Sequence, residues 1–140
     1  MPTASRAAAA AVSLVVAGSA LVGLTGCSGL LATDREYHFS RYGDAPKSGT
    51  RSFVLDDWVP RDAASIDAAR TRDDTPEALL RFTSETDLAT SPACTPSDSL
   101  AAVPTIAVSW WPSDGVATSG YSCGDWSVVA DGSTVYAWRG

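Results

Sequence analysis

Residues 125–139, "DWSVVADGSTVYAWR", hold this chain to antiparallel β structure. Val128, Val129, Val135 and Tyr136 belong to the β-branched and aromatic types that favour strands. Asp131-Gly132 between two such runs is a strong local hairpin signal. A two-residue turn there pairs Val128 with Val135 and Trp126 with Ala137 on one face. Ser127, Val129, Thr134 and Tyr136 then share the other, because side chains alternate along a strand.

Upstream, two segments admit two readings each. "PRDAASIDAARTRDD" favours helix by its alanines and arginines, yet its apolar residues form no helical stripe. Alternation from Ile66 through Ala68 permits a strand. Thr75-Pro76-Glu77 suits a helix start. Leu80 and Phe82, however, alternate with Leu79, Arg81 and Thr83 as in a half-buried strand, which makes "DDTPE" a hairpin turn. "TIAVSWWP" reads as a strand ended by Pro112. Between these lie the loop-like "ATSPACTPSDSLAAVP" and "SDGVATSGYSCG". "WVPRDAASI" followed by "LLRFTSE", with "SWWP" and "CGDW" similar in style, resembles a pattern of small exported actinobacterial proteins. The resemblance implies two paired strands across Trp58 to Glu85 and carries no catalytic residue.

The N-terminus is of another kind. Arg6 precedes an uncharged apolar run from Ala7 to Leu24, the layout of a secretory signal peptide. Such a run is also long enough for a membrane span. Leu24-Thr25-Gly26-Cys27 resembles the lipobox of bacterial lipoproteins: an aliphatic residue, two small residues and a cysteine. The resemblance implies diacylglyceryl transfer to the Cys27 sulfur and cleavage before it, where the small Thr25 and Gly26 fit a narrow peptidase site. Removing Arg6 takes the net charge from −6 to −7. Two or more acyl chains hold a protein stably on a bilayer.

An odd cysteine count in an exported chain needs an explanation. With Cys27 acylated, Cys94 and Cys123 remain as one pair, and a disulfide persists outside the cytoplasmic membrane. The expected organisation is therefore a signal peptide over 1–26, a lipidated N-terminus and tether over 27–50, and a small domain over 51–140. Within the tether "YHFSRY" is aromatic enough to dock as a short strand. The expected fold class is α+β or mainly β: a small antiparallel sheet with a C-terminal hairpin and one disulfide.

Chemistry is less legible. A Ser-His-Asp arrangement needs a histidine base, and His38 is the chain's single histidine. Catalytic zinc normally takes at least one histidine, and no calcium-loop pattern is present, so no metal or cofactor is expected. Asp56-Asp57, Asp73-Asp74, Glu85 and Asp87 offer the carboxylate pairs a small hydrolase needs, but acidic residues this common usually mark a solvated surface. A net charge of −6 argues against nucleic acid and against electrostatic attraction to anionic lipid. Trp110 and Trp111, adjacent on the expected strand, must point to opposite faces, leaving one for a sugar or protein surface or for cover by the tether. The expectation is a non-catalytic binding or accessory protein on the extracytoplasmic face of the cell membrane. Its partners are the membrane through Cys27 and an envelope protein or glycan; a glycan-binding module is the alternative.

Overall fold

The computed structural model describes residues 34–72 and 77–140. Cys27 and the expected signal peptide and cleavage site lie outside them, as do Asp73 and Asp74. Among the described residues no helix is long and apolar enough to cross a membrane.

The described strands are β1 (Arg35–Arg41), β2 (Ala64–Arg70), β3 (Ala78–Thr83), β4 (Cys94–Ser97), β5 (Gly120–Cys123), β6 (Trp126–Asp131) and β7 (Thr134–Arg139). They pair antiparallel into one sheet in the order β1-β2-β3-β7-β6-β5-β4. The fold is mainly β, and both segments that sequence left open are strands. β2 and β3 pair as a hairpin from Arg70 opposite Ala78 to Ala64 opposite Thr83. Short 3₁₀ turns at Tyr42–Asp44 and Leu88–Thr90 are the helical pieces described.

β1 lies ahead of residue 51, where the small domain was expected to begin. Arg35–Arg41 is an edge strand of the sheet, with Tyr37 opposite Ala68 and Phe39 opposite Ile66. Tyr37 and Phe39 pack inward while Glu36, His38 and Ser40 face water, so the aromatic alternation of "YHFSRY" is a half-buried edge. Both edges are protected in known ways. β1 carries charged side chains, and β4 is four residues long with Pro96 in it.

The central strands are apolar on both faces. On one face Ile66, Ala68, Leu80, Phe82, Val128, Val135 and Ala137 meet Phe53, Leu55, Trp58 and Val59 from the connection between β1 and β2. On the other, Ala69, Leu79, Val129 and Trp138 meet Ile106, with Leu100, Val108, Trp110, Trp111 and Val116 packed around them. These last residues belong to the β4–β5 connection, and here a second expectation fails. "TIAVSWWP" is no strand. β5, β6 and β7 each have a strand on both sides, and this run crosses the sheet face as an irregular strap.

A strap without secondary structure must still satisfy its backbone. The sheet does this with side chains. Ala101 N–H donates to Ser127 Oγ at 3.1 Å, and Trp138 Nε1 donates to the Ala101 carbonyl at 2.8 Å. Arg81 Nη1 donates to the Trp110 carbonyl at 2.8 Å. Leu100 N–H reaches the Thr118 carbonyl at 3.1 Å, closing the strap on itself. On the opposite face the Trp126 indole N–H donates to Asp56, whose carboxylate lies 3.5 Å from Arg139.

The C-terminal hairpin keeps the expected faces but slips in register. Val128 opposes Ala137 and Val129 opposes Tyr136, around a two-residue turn of Gly132 and Ser133. Gly132 holds φ at +61°, and it is the only turn residue with positive φ. A turn at Gly132-Ser133 asks for positive φ at its first position alone, where glycine adopts it without steric cost; a type I′ turn at Asp131-Gly132 would ask it of Asp131 too. The slip is two residues, so each side chain stays on its face.

Cys94 and Cys123 form a disulfide directly across β4 and β5, with Cα atoms 4.2 Å apart. As expected, it ties the start of the C-terminal hairpin to the loop after β3. Closing 29 residues of chain stabilises the fold by about 3–4 kcal/mol in the chain-entropy model. Cys94→Ala/Cys123→Ala should lose that amount in urea unfolding, and thiol counting should find the two sulfurs only after reduction.

Asp62 latches the covering segment to the end of β3. Its carboxylate accepts from Ser84 Oγ at 2.7 Å, Glu85 N–H at 2.9 Å and Thr86 Oγ1 at 2.9 Å. The Ser84 bond is the main cause holding the carboxyl below its ordinary value of 3.8; partial desolvation opposes it, and Glu85 and Thr86 add to it. A depressed carboxylate contributes its stabilisation fully above the unfolded value and loses it as pH falls through the lower folded value. The stability difference between wild type and Asp62→Asn should therefore be present at pH 7 and shrink below about pH 4 in urea titrations.

Candidate functional site

The face of β1, β2 and β3 beneath the strap carries a polar constellation. Glu36 and His38 project from β1, Asp67 from β2 and Arg81 from β3, each at an alternate position on the same side. His38 sits opposite Asp67 and Asp67 opposite Arg81, so the register alone lines up the three side chains. His38 Nδ1 lies 2.6 Å from Asp67 Oδ1. Arg81 forks onto Asp67 Oδ2 through Nε, at 3.0 Å, and through Nη2. Its remaining Nη1 holds the Trp110 carbonyl, and its guanidinium lies 5.5 Å from the Trp110 ring centre.

Trp110 completes the group. Its indole Nε1 donates to Glu36 Oε2 at 3.2 Å, and that same oxygen lies 4.0 Å from His38 Nε2. The chain runs Glu36, Trp110, Arg81, Asp67, His38, from one solvated end to the other. The inner members are sheltered: Asp67 and Arg81 side chains are 16% and 32% exposed, whereas Glu36 and His38 are 42% and 62% exposed. Arg81 is fixed by charge and fork geometry together, which a lysine does not offer.

Trp110 and Trp111 do not occupy opposite faces, because the backbone there turns instead of running extended. Both lie on the strap side, half-buried, in edge contact at 6.0 Å. Trp111 is wedged edge-on between Tyr136 at 5.6 Å and Trp138 at 6.1 Å. It is packing for the strap. Trp110 is the one bordered by ionisable groups.

The other residues singled out from sequence scatter. Asp56 is committed to Trp126 and Arg139. Asp57 lines a separate cleft with Tyr42, Lys47 and Arg61. Glu85 and Asp87 border one shallow cleft of about 280 Å³, where Asp87 is occupied capping the Leu88–Thr90 turn. Among the described residues no three His, Cys, Asp or Glu side chains converge to hold a metal. His38, Asp67 and Arg81 were missed as a group. The available signal was the alternation of polar positions, Glu36 with His38 and Asp67 opposite Arg81, on strands that needed to be recognised first.

β2 carries a local irregularity beside this group. The β2–β3 register shifts between Ala64 and Asp67, and Ser65 sits there with φ of +49°. The extra residue is a bulge in which Ser65 takes the position usually given to glycine. Ser65, His38 and Asp67 border the same open hollow.

Comparisons with family models, with curated proteins and with solved structures find no match to this chain. The chemistry of the site therefore rests on its own geometry.

Arg81→Ala should free a sheltered carboxylate and release the strap at Trp110. The expected cost is about 2 kcal/mol, the range for hydrogen bonds to charged groups, in urea unfolding followed by tryptophan fluorescence. Arg81→Lys should recover little, since a single ammonium cannot span Asp67 and the Trp110 carbonyl.

Proposed function

We propose that this protein is a lipid-anchored binding module of the cell envelope, held by acyl chains on Cys27 and carrying its ligand face on β1–β3. The observation that supports the anchor is the cysteine bookkeeping. Cys94 and Cys123 are joined, so the odd cysteine is the one that follows Leu24-Thr25-Gly26. A disulfide between the short edge strand β4 and its neighbour β5 also suits an oxidising, extracytoplasmic setting. The role is one of binding or accessory contact. Cys27→Ser tests the anchor: the variant should leave the membrane fraction or stay precursor-sized. Mature-sized Cys27→Ser protein that remains with the membrane refutes it.

A glycan is the ligand class that the constellation suits best. A pyranose presents apolar C–H faces and a rim of hydroxyls. Trp110 offers an aromatic surface, and Glu36 and His38 beside it offer exposed acceptors and donors. Trp110→Ala should lower retention on insoluble cell-wall glycan by about tenfold or more, the loss expected of an aromatic anchor. Unchanged retention removes the glycan reading. Trp110 is the informative position, because Trp111 is wedged among Tyr136 and Trp138 and its loss would disturb the strap.

A further inference from the structure

The acidic chain hides a basic pole. Arg35, Arg51, Arg70 and Arg72 border one cleft of about 260 Å³, together with Thr50 and Thr71. These are four of the ten basic residues of the chain. Arg35 and Arg70 stand directly opposite each other where β1 pairs with β2. Like charges in that position repel and weaken a sheet. Among the described residues no carboxylate lies within ion-pair distance of any of the four.

The pole is built, not merely crowded. Arg70 Nη2 donates to the Thr50 carbonyl at 2.8 Å, and its guanidinium lies 5.9 Å from the Tyr37 ring centre. Tyr37 Oη donates to the Arg51 carbonyl at 3.2 Å. These two contacts fasten residues 50 and 51 beside β1 and β2, which brings Arg51 to the strands that carry Arg35, Arg70 and Arg72. Arg51 and Arg72 are exposed. Guanidinium groups fork onto phosphate oxygens and stay charged at any physiological pH.

The position of the cleft identifies the anion. Arg35 opens β1, eight residues after Cys27. Eight residues reach at most about 28 Å when fully extended. A chain acylated at Cys27 therefore carries this pole within short reach of the bilayer surface.

We propose that Arg35, Arg51, Arg70 and Arg72 form an oxyanion site that takes the phosphate headgroups of anionic lipid in the membrane to which Cys27 is attached. The proposal rests on the lipid-anchor reading above. The second contact fixes which end of the domain faces the bilayer, and it adds an electrostatic hold that acyl chains alone do not give. The net charge of −6 does not oppose this, because screening confines the interaction to groups within roughly 10 Å of the surface.

The test is vesicle flotation of the purified acylated mature protein on phosphatidylcholine with and without phosphatidylglycerol. The readout is the ratio of the two partition coefficients, in which the contribution of the acyl chains cancels. Arg51→Gln/Arg72→Gln changes two exposed side chains that make no side-chain hydrogen bond among the described residues. It should lower the ratio by about fivefold for each arginine removed, and added salt should lower the wild-type ratio likewise. A ratio unchanged by the double variant overturns the proposal. A wild-type ratio of one, with inorganic phosphate bound at the arginines, assigns the site to a free oxyanion and overturns the membrane assignment; phosphate that lowers a raised ratio at constant ionic strength competes for the same groups and supports it. Cys27→Ser protein of mature size, run beside them, should lower partition onto both vesicle types and leave the ratio alone. Mature-sized Cys27→Ser protein whose partition equals wild type on both refutes the anchor, and the proposal falls with it.

Discussion

A single sheet that is apolar on both faces, with no helix among the described residues to cover either, is the constraint on which the rest of this structure depends. Ala69, Leu79 and Trp138 are as buried as Ala68, Leu80 and Phe82 on the opposite side. Two irregular segments must supply both covers. Irregular chain carries unpaired backbone groups into contact with a core, and each unpaired buried group costs about 1–3 kcal/mol. On the strap side the sheet resolves this by lending the side chains of Ser127, Trp138 and Arg81 to the backbone; on the other face Trp126 fastens the covering segment through the Asp56 side chain.

The candidate site follows from the same arrangement. Arg81 serves the fold by holding the Trp110 carbonyl, and in doing so it brings Trp110 alongside Asp67, Glu36 and His38. A residue recruited to pin a strap has gathered a row of ionisable groups. The two aromatic neighbours have divided their work accordingly. Trp111 closes the core with Tyr136 and Trp138, while Trp110 meets the polar row.

Much of the sheet was legible where the signal is local. The alternation in "DWSVVADGSTVYAWR" assigned the faces of β6 and β7, and a slip of two residues left those faces intact. The register itself depended on which turn residue takes positive φ, a backbone property that residue types only suggest. "TIAVSWWP" has the composition of a strand, but β7, β6 and β5 each have a strand on both sides, and the run packs across their face instead of joining the sheet. "YHFSRY" reads as linker or strand until β2 is there to pair with it.

The sequence by itself determined the antiparallel class and the two-faced hairpin, because periodicity is carried by neighbours in the chain; it pointed to the Cys94–Cys123 pair only once Cys27 was set aside. The tertiary structure alone decided the two candidate surfaces. His38, Asp67 and Arg81 meet only through the pairing of three strands. Net charge is a sum over the chain and holds no positions, so −6 gave no sign that Arg35, Arg51, Arg70 and Arg72 would be folded onto one cleft. Where charges end up is a matter of register, and register is set by contacts between residues far apart in sequence.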